Sequence, residues 1–363
     1  MTTGEANKPR IGGIGRRVRA SSWSSRIAVV LLAAILVALG VQAVQDPQQF
    51  LSQLLIGVTN GSILALIALG YTLVYGIIEL INFAHGDNFM IGSFIGITVL
   101  SGTFFGLSFF SPITGDAGTA LKVFGVVFAL VVAMAACGLL GMTIERVAYK
   151  PLRNSPRLAV LITAIGVSFI LQNVGIIWKG PAQVPFPDLI SNANILGGGI
   201  VFRWKDLFVI SLTVPLLLAL SYFISSTKQG KAMRAVAQDK EAAAMVGINV
   251  NRTISITFLL GGILAGASGV MFGLFNGTTV FNVGFVQGLY AFTAAVLGGI
   301  GNLTGAVVGG ILIGIIAAMS DQYIGVRWTE IMIFSVLILV LVFRPTGLLG
   351  DRSAVQGGGE ERG

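Results

Sequence analysis

Charge is scarce in this chain of 363 residues: 10% are Asp, Glu, Lys or Arg, against about 25% in a soluble domain. Between Gln53 and Ile144 the only charged side chains are Glu79, Asp87, Asp116 and Lys122. With 55% hydrophobic residues and a mean hydropathy of +0.88, there is too little polar material to cover a water-facing globule. Its solvent is largely lipid. Cysteine is limited to Cys137, which excludes an internal disulfide. The apolar run around it, ALVVAMAACGLLGM, suits a small buried hydrophobe. His85 is the sole histidine. One histidine and one cysteine leave no H-E-x-x-H or similar ligand set, and no G-x4-G-K-[ST] phosphate loop occurs. No metal, cofactor or catalytic residue is therefore expected.

What is present is a series of long apolar runs. Their continuity favours helices over the short alternating strands of a membrane barrel. Crossing the hydrocarbon takes about 20 apolar residues. Candidate spans are 27–44, 52–76, 89–110, 121–143, 158–178, 206–226, 253–275, 285–299, 303–320 and 329–343. The expected fold class is an all-α polytopic membrane protein of about ten transmembrane helices, some short or broken.

Basic residues set the orientation, because Lys and Arg accumulate on the cytoplasmic side. The tail 1–26, the segments 145–157 and 227–252, and the tail from Arg344 hold 18 of the 23 Lys and Arg residues. Lys122, Lys179, Arg203, Lys205 and Arg327 fall on the other side. Ten spans with both termini inside accommodate this split. The net charge of +8 is thus a topology signal, and no nucleic-acid partner is expected. The chain divides into a basic tail 1–26, an extra N-terminal helix 27–45, a membrane domain 46–350 and a tail 351–363. RRVRASSWSSR, IAVVLLAAILVALG and VQA also supply the three parts of a signal peptide. The long polar lead favours a retained helix.

Polar residues cluster in ELINFAHGD, where Glu79, Asn82, Phe83, His85, Gly86 and Asp87 come after the end of span 52–76. This reads as a helix break near the cytoplasmic end of a membrane path. Asp87 is a candidate N-cap for a helix beginning near Asn88. His85 suits the capping of open backbone groups, or gating and contact with a departing substrate. The run LGGIGNLTGAVVGGILIG echoes it. Asn82, Gly86, Gly92 and Gly96 are spaced N-x3-G-x5-G-x3-G, and Asn302, Gly305, Gly310 and Gly314 are spaced N-x2-G-x4-G-x3-G. Paired breaks at Asn82 and Asn302 suggest a parallel internal repeat around a transport path. Span 285–299 reaches only about 22 Å as a helix, short of the ~30 Å core. Small residues four apart (Gly57/Gly61, Gly262/Gly266, Ala265/Gly269/Gly273) predict closely packed helices.

The segment KQGKAMRAVAQDKEAAAMVGINVNR, 228–252, predicts a short cytoplasmic helix over 240–246. Asp239 is its N-cap, Glu241 complements its positive end, the alanines favour helix, and Gly247 stops it. Too short to stand alone, it either docks on a partner or simply connects two spans.

Glu241-Ala242-Ala243-x3-Gly247 resembles the EAA loop of ABC-importer permeases. The Leu-Pro pair that ends the fuller pattern is replaced here by Leu259-Leu260-Gly261. Further blocks point to one branch: GVTNGSILALIALGYTLVYGIIELINFAHGD, IERVAYKPLRNSPRL, TAIGVSFILQN, FTAAVLGGIGNLTGAVVGG and FRPTGLLG. In order, and from Gln53 to Gly350, they resemble the LivH-type permeases of branched-chain amino acid importers.

The resemblance implies a non-catalytic membrane subunit translocating branched-chain amino acids inward. Its partners would be a second permease of the LivM type, two cytoplasmic ABC ATPase subunits, an extracytoplasmic amino-acid binding protein and membrane lipid. Glu241, Ala242, Ala243 and Gly247 would carry the coupling helix, with Arg234, Asp239 and Lys240 as polar contacts to the ATPase. A permease for urea, short amides or other amino acids is the near alternative. An ion-coupled transporter using Glu79, His85 and Asp87 is a more distant one.

Overall fold

The computed structural model describes residues 40–350, apart from 105–106, 109–110, 114, 154 and 198. The chain forms two units, Met1–Pro47 and Gln48–Gly363. In the first, 40–45 are helical, and the rest of the candidate span 27–44 lies outside the described residues.

The second unit is helical almost throughout. Its order is α1 (Pro47–Ile78), α2 (Ala84–Ser101), α3 (Thr119–Ile144), α4 (Arg157–Lys179), α5 (Trp204–Ser226), α6 (Lys228–Gln238), α7 (Lys240–Met245), α8 (Val250–Asn276), α9 (Val283–Gly298), α10 (Leu303–Ser320) and α11 (Thr329–Phe343). Among the described residues, six stretches are long and apolar enough to cross a membrane: α1, α3 with its extension to Leu152, α4, α5, α8, and Leu303–Phe343. α9 is apolar but shorter. The described sheet consists of two-residue pairs: β1 (Thr103–Phe104) with β2 (Leu107–Ser108), and β3 (Val184–Pro185) with β4 (Thr278–Thr279), both antiparallel.

α1 is the central helix, buried without interruption from Gly61 to Val74, as expected of a helix apolar on every side. Its neighbours approach at backbone distance. A Cβ on Gly61 would lie 2.6 Å from the Ile311 Cα of α10, and one on Gly92 of α2 would lie 2.8 Å from the Gly266 Cα of α8. Across α3 and α8, a Cβ on Gly262 would meet the Cys137 carbonyl. Small residues replace the missing hydrophobic drive between helices in lipid with close packing, and the four-residue spacing predicts these faces. α3, α4 and α5 instead turn apolar side chains outward, among them Phe124, Val131, Ile162 and Leu218.

Leu303–Phe343 would be about 62 Å long as one rod, twice the membrane core. It doubles back instead. A π-helical stretch, Asp321–Gly325, and a 3-10 turn, Val326–Trp328, interrupt it, and Gly325 takes φ 118° at the reversal. α11 then packs on α9 and α10. The amides of Leu348 and Leu349 donate to the carbonyls of Leu297 and Gly298 at the end of α9.

The structure departs from the expected helices in two places. Span 89–110 is displaced: α2 starts at Ala84 and stops at Gly102, whose left-handed φ of 67° ends the helix before the β1–β2 hairpin. The polar residues 85–88 are tolerated in it because protein, not lipid, surrounds them. α6 is absent from the expected elements. Its signals are modest: Thr227 as N-cap, accepting from the Gly230 amide, and buried Gly230, Met233 and Val236 at helical spacing. Candidate spans 303–320 and 329–343 coincide with α10 and α11, joined by the π and 3-10 turns of the reversal.

Candidate functional site

Two described basic segments, 145–157 and 227–252, meet at one end of the bundle. Arg157 pairs with Glu79 at 3.5 Å, Arg153 donates to Asn251 at the start of α8, and Arg234 of α6 donates to the last carbonyls of α5. At the opposite helix ends, Lys205 pairs with Asp188 and β3 meets β4. Charge segregation along the sequence is thus segregation in space.

The first break lies at the basic end. α1 stops at Glu79, which adopts a left-handed φ of 57°, alone among the described non-glycine residues. Residues 79–83 then lead back toward α1. The His85 ring lies edge-on to Tyr71, centroids 4.8 Å apart, and against Gly70, where no Cβ would fit. Gly70 is eight residues before the end of α1, about 12 Å of helix. His85, Gly86 and Asp87 therefore belong to the first turn of α2, which starts with no side-chain cap. Asp87 is not the N-cap expected from the sequence. It is fully buried, and its Oδ2 accepts from Ser168 of α4 at 2.5 Å, with Gln172 donating to that serine. Its charge also complements the positive helix end. Asn82 accepts from the Tyr149 hydroxyl at 2.9 Å. Phe83 packs toward Phe292 of α9, and Gly86 toward Gly284 and Gly288.

The second break joins α9 to α10 through Gly299 and Gly301, with φ of 109° and 91°. Here the sequence reading of Asn302 as a helix start matches the geometry. Its Oδ1 accepts from the Gly305 amide, and its Nδ2 donates to the Leu349 carbonyl at 2.7 Å. Gly305 sits against Gly298. A cavity of about 730 Å³ opens beside this break, lined by Tyr75, Ile300, Asn302, Thr304 and Pro345 among others. A smaller one of about 190 Å³ runs from Gly301 and Leu303 to Met233 and Arg234 of α6.

α7 is the short helix expected at 240–246. Asp239 caps it, accepting from the amides of Glu241 and Ala242 at 2.8 and 2.9 Å. Gly247, at φ 86°, ends it, with Gly247 and Ile248 donating to the carbonyls of Ala244 and Ala243. Ala243 is buried and Ala242 half-buried, while Lys240 and Glu241 are exposed. Met245 and Val246 are 82% and 77% exposed, an apolar tip at the polar end of the bundle. Arg234 is exposed, with its guanidinium on the last carbonyls of α5.

Sequence reasoning misses Glu145, Tyr149, Arg153 and Ser255. Glu145 is fully buried, pairs with Arg153 and accepts from Ser255 at 2.6 Å. A carboxylate closing an apolar run is the available signal.

Together these features define a polytopic α-helical membrane protein with two helix breaks and a protruding short helix at one end. The profile of one family, described as "Branched-chain amino acid transport system / permease component", matches residues 53–341. The chain belongs to this family. It is 42% identical over 306 residues to the high-affinity branched-chain amino acid transport system permease protein LivH of Escherichia coli K12, covering 83% of this chain and 96% of that one. It is 39% identical over 308 residues to BraD, the high-affinity branched-chain amino acid transport system permease protein of Pseudomonas aeruginosa, with the same coverage. A shorter match, 27% over 221 residues, reaches a probable LivH of Methanocaldococcus jannaschii, covering 57% of this chain and 61% of that one. No solved structure matches.

Proposed function

We propose that this chain is the transmembrane subunit of an ATP-driven importer that moves branched-chain amino acids inward by alternating access. The observation that carries this reading is the 42% identity along 96% of the LivH permease of Escherichia coli. ATP hydrolysis falls to two cytoplasmic ATPase subunits, a LivM-type permease completes the membrane pair, and an extracytoplasmic binding protein delivers the substrate. The basic end of the bundle is the cytoplasmic end by the positive-inside rule, and ten spans place both termini there.

In this reading α7 is the coupling helix. Asp239 and Gly247 set its two ends, Lys240 and Glu241 face the ATPase, and Ala242 and Ala243 allow close approach to the bundle. Arg234 holds α6 to α5 so that α7 transmits force to a membrane span. The two breaks form the cytoplasmic side of the path, with Glu79, Asn82, Phe83, His85, Gly86 and Asp87 at one and Asn302 and Gly305 at the other. The parallel repeat draws support from reciprocal packing. The helix after the first break, α2, packs its Gly86 on α9, and the helix after the second, α10, packs its Gly314 on α1.

Purification of the complex with its co-purifying subunits, followed by ligand titration of the binding protein, tests the reading. Leucine, isoleucine and valine should bind and urea and acetamide should not. Preference for urea would replace this substrate with the near alternative. Absence of an ATPase subunit would overturn the importer.

A further inference from the structure

The block IERVAYKPLRNSPRL lies outside the chain segments of both breaks and of α7, yet it touches the first break through Tyr149 and Arg157. Its first residues form a π-helical turn, Glu145–Tyr149, that closes α3. Glu145 has 0% of its side chain exposed and is paired with Arg153, itself 22% exposed. The Arg153 guanidinium also donates to Asn251 Oδ1 at 2.5 Å, and the Ser255 hydroxyl donates to Glu145 Oε2 at 2.6 Å. Asn251 and Ser255 are on the first turns of α8, just beyond the Gly247 that ends α7. At the other end of the π turn, the Tyr149 hydroxyl donates to Asn82 Oδ1 at 2.9 Å, within the break after α1. The Tyr149 ring packs on Phe258 of α8, centroids 5.3 Å apart.

One hydrogen-bonded sequence therefore runs from the root of α7 to the first break: α8 to Arg153 and Glu145, through the π turn to Tyr149, and on to Asn82. A π turn differs from an α turn by one inserted residue and is frequent at functional sites. Losing that insertion rotates the residues beyond the turn by one residue's share of a helical turn, about 100°. This gives two discrete arrangements rather than a continuous deformation, as a transmitted coupling requires. An ion pair with its carboxylate fully buried, such as Glu145–Arg153, is suited to fixing one of them, because loss of either partner leaves the other charge uncompensated.

We propose that the Glu145–Tyr149 turn is the relay between the coupling helix and the first break, with Glu145, Arg153 and Tyr149 as positioning residues. In one arrangement Tyr149 holds Asn82 and the break is fixed. A displacement of α7 and the first turns of α8 pulls on Arg153, shifts the turn and releases Asn82. The inference rests on the permease reading above, since it needs an ATPase to move α7.

The test uses the full complex, with both ATPase subunits, the second permease and the binding protein, in proteoliposomes. Tyr149→Phe removes one oxygen and retains the ring on Phe258. It is compared with Asn82→Ala and with the double variant. Assembly, basal ATP hydrolysis and leucine imported per ATP are measured. The relay predicts normal assembly and basal hydrolysis in Tyr149→Phe, a fall of about fivefold in leucine per ATP, the effect of one hydrogen bond, and a double variant no worse than the poorer single. Wild-type leucine per ATP in Tyr149→Phe, an additive double variant, or failure of Tyr149→Phe to assemble would each overturn it. A wild-type complex that assembles with no ATPase overturns the permease reading, and the relay with it.

Discussion

Gly314→Ala tests the packing that holds α10 against the central helix. A Cβ at this position would lie 2.2 Å from Gly61 N, 2.3 Å from Gly61 Cα and 2.5 Å from the Gly57 carbonyl oxygen. All three are backbone atoms of α1, so no side chain can swing aside. Relief requires the two helices to part by about 1 Å, and overpacking of this kind costs about 1–3 kcal/mol. At a few degrees per kcal/mol for a large domain, the expected loss is about 2–6 °C in Tm. Gly166→Ala is the matched control. It lies within α4 with nothing within 4 Å of its added Cβ, and replacing a helical glycine by alanine is favourable by up to about 1 kcal/mol. Thermal unfolding of the purified protein in detergent, with uptake measured in parallel, compares the two. A Gly314→Ala protein as stable as Gly166→Ala would refute backbone-level contact between α1 and α10.

Asp239→Ala removes the acceptor for two amides of α7, a loss of about 1 kcal/mol for an N-cap. A six-residue helix has no propagation to offset this, so hydrogen exchange over 240–245 should accelerate severalfold while α8 is unchanged. Glu145→Gln leaves the Arg153 guanidinium at a site built for a carboxylate, with an expected cost of about 3–5 kcal/mol. Glu79→Gln breaks an ion pair whose side chains are 83% and 63% exposed, worth about 0–1 kcal/mol. Unfolding midpoints should rank Glu145→Gln well below Glu79→Gln, and the reverse order would contradict the burial of the Glu145 network.

Apolar length and small-residue spacing make most of the bundle legible in the sequence, because both are local consequences of lipid as solvent. α8 and α10 sit where their runs of apolar residues begin and end, and Gly61 and Gly266 meet the close neighbours their spacing foretells. α7 is legible for a different reason: Asp239 and Gly247 are strong start and stop signals separated by helix formers. Legibility fails where tertiary contacts override local pattern. His85 and Asp87 read as a break and a cap ahead of the helix, yet they lie inside α2, since α1, α4, α8 and α9 enclose them and Ser168 donates to one oxygen of the Asp87 carboxylate. The start of α2 is therefore fixed by residues distant in sequence. Glu145 poses the same difficulty, its partners Arg153 and Ser255 being 8 and 110 residues away. α6 is short and polar overall, its apolar stripe limited to a few residues such as Met233 and Val236, and its role in bracing α5 through Arg234 depends on a turn of the chain that spacing does not reveal.

The most direct measurement is ATP-dependent uptake of labelled leucine by the reconstituted complex carrying Glu241→Lys. Glu241 lies exposed in the first turn of α7, where its negative charge complements the helix end and faces the proposed ATPase groove. The wild-type complex should accumulate leucine only with ATP and the binding protein, and the variant should assemble with the same ATPase but import at about a tenth of that rate or less, as loss of a charged contact worth 1.5–3 kcal/mol implies. Uptake by Glu241→Lys at the wild-type rate, or leucine accumulation independent of ATP, would contradict the account.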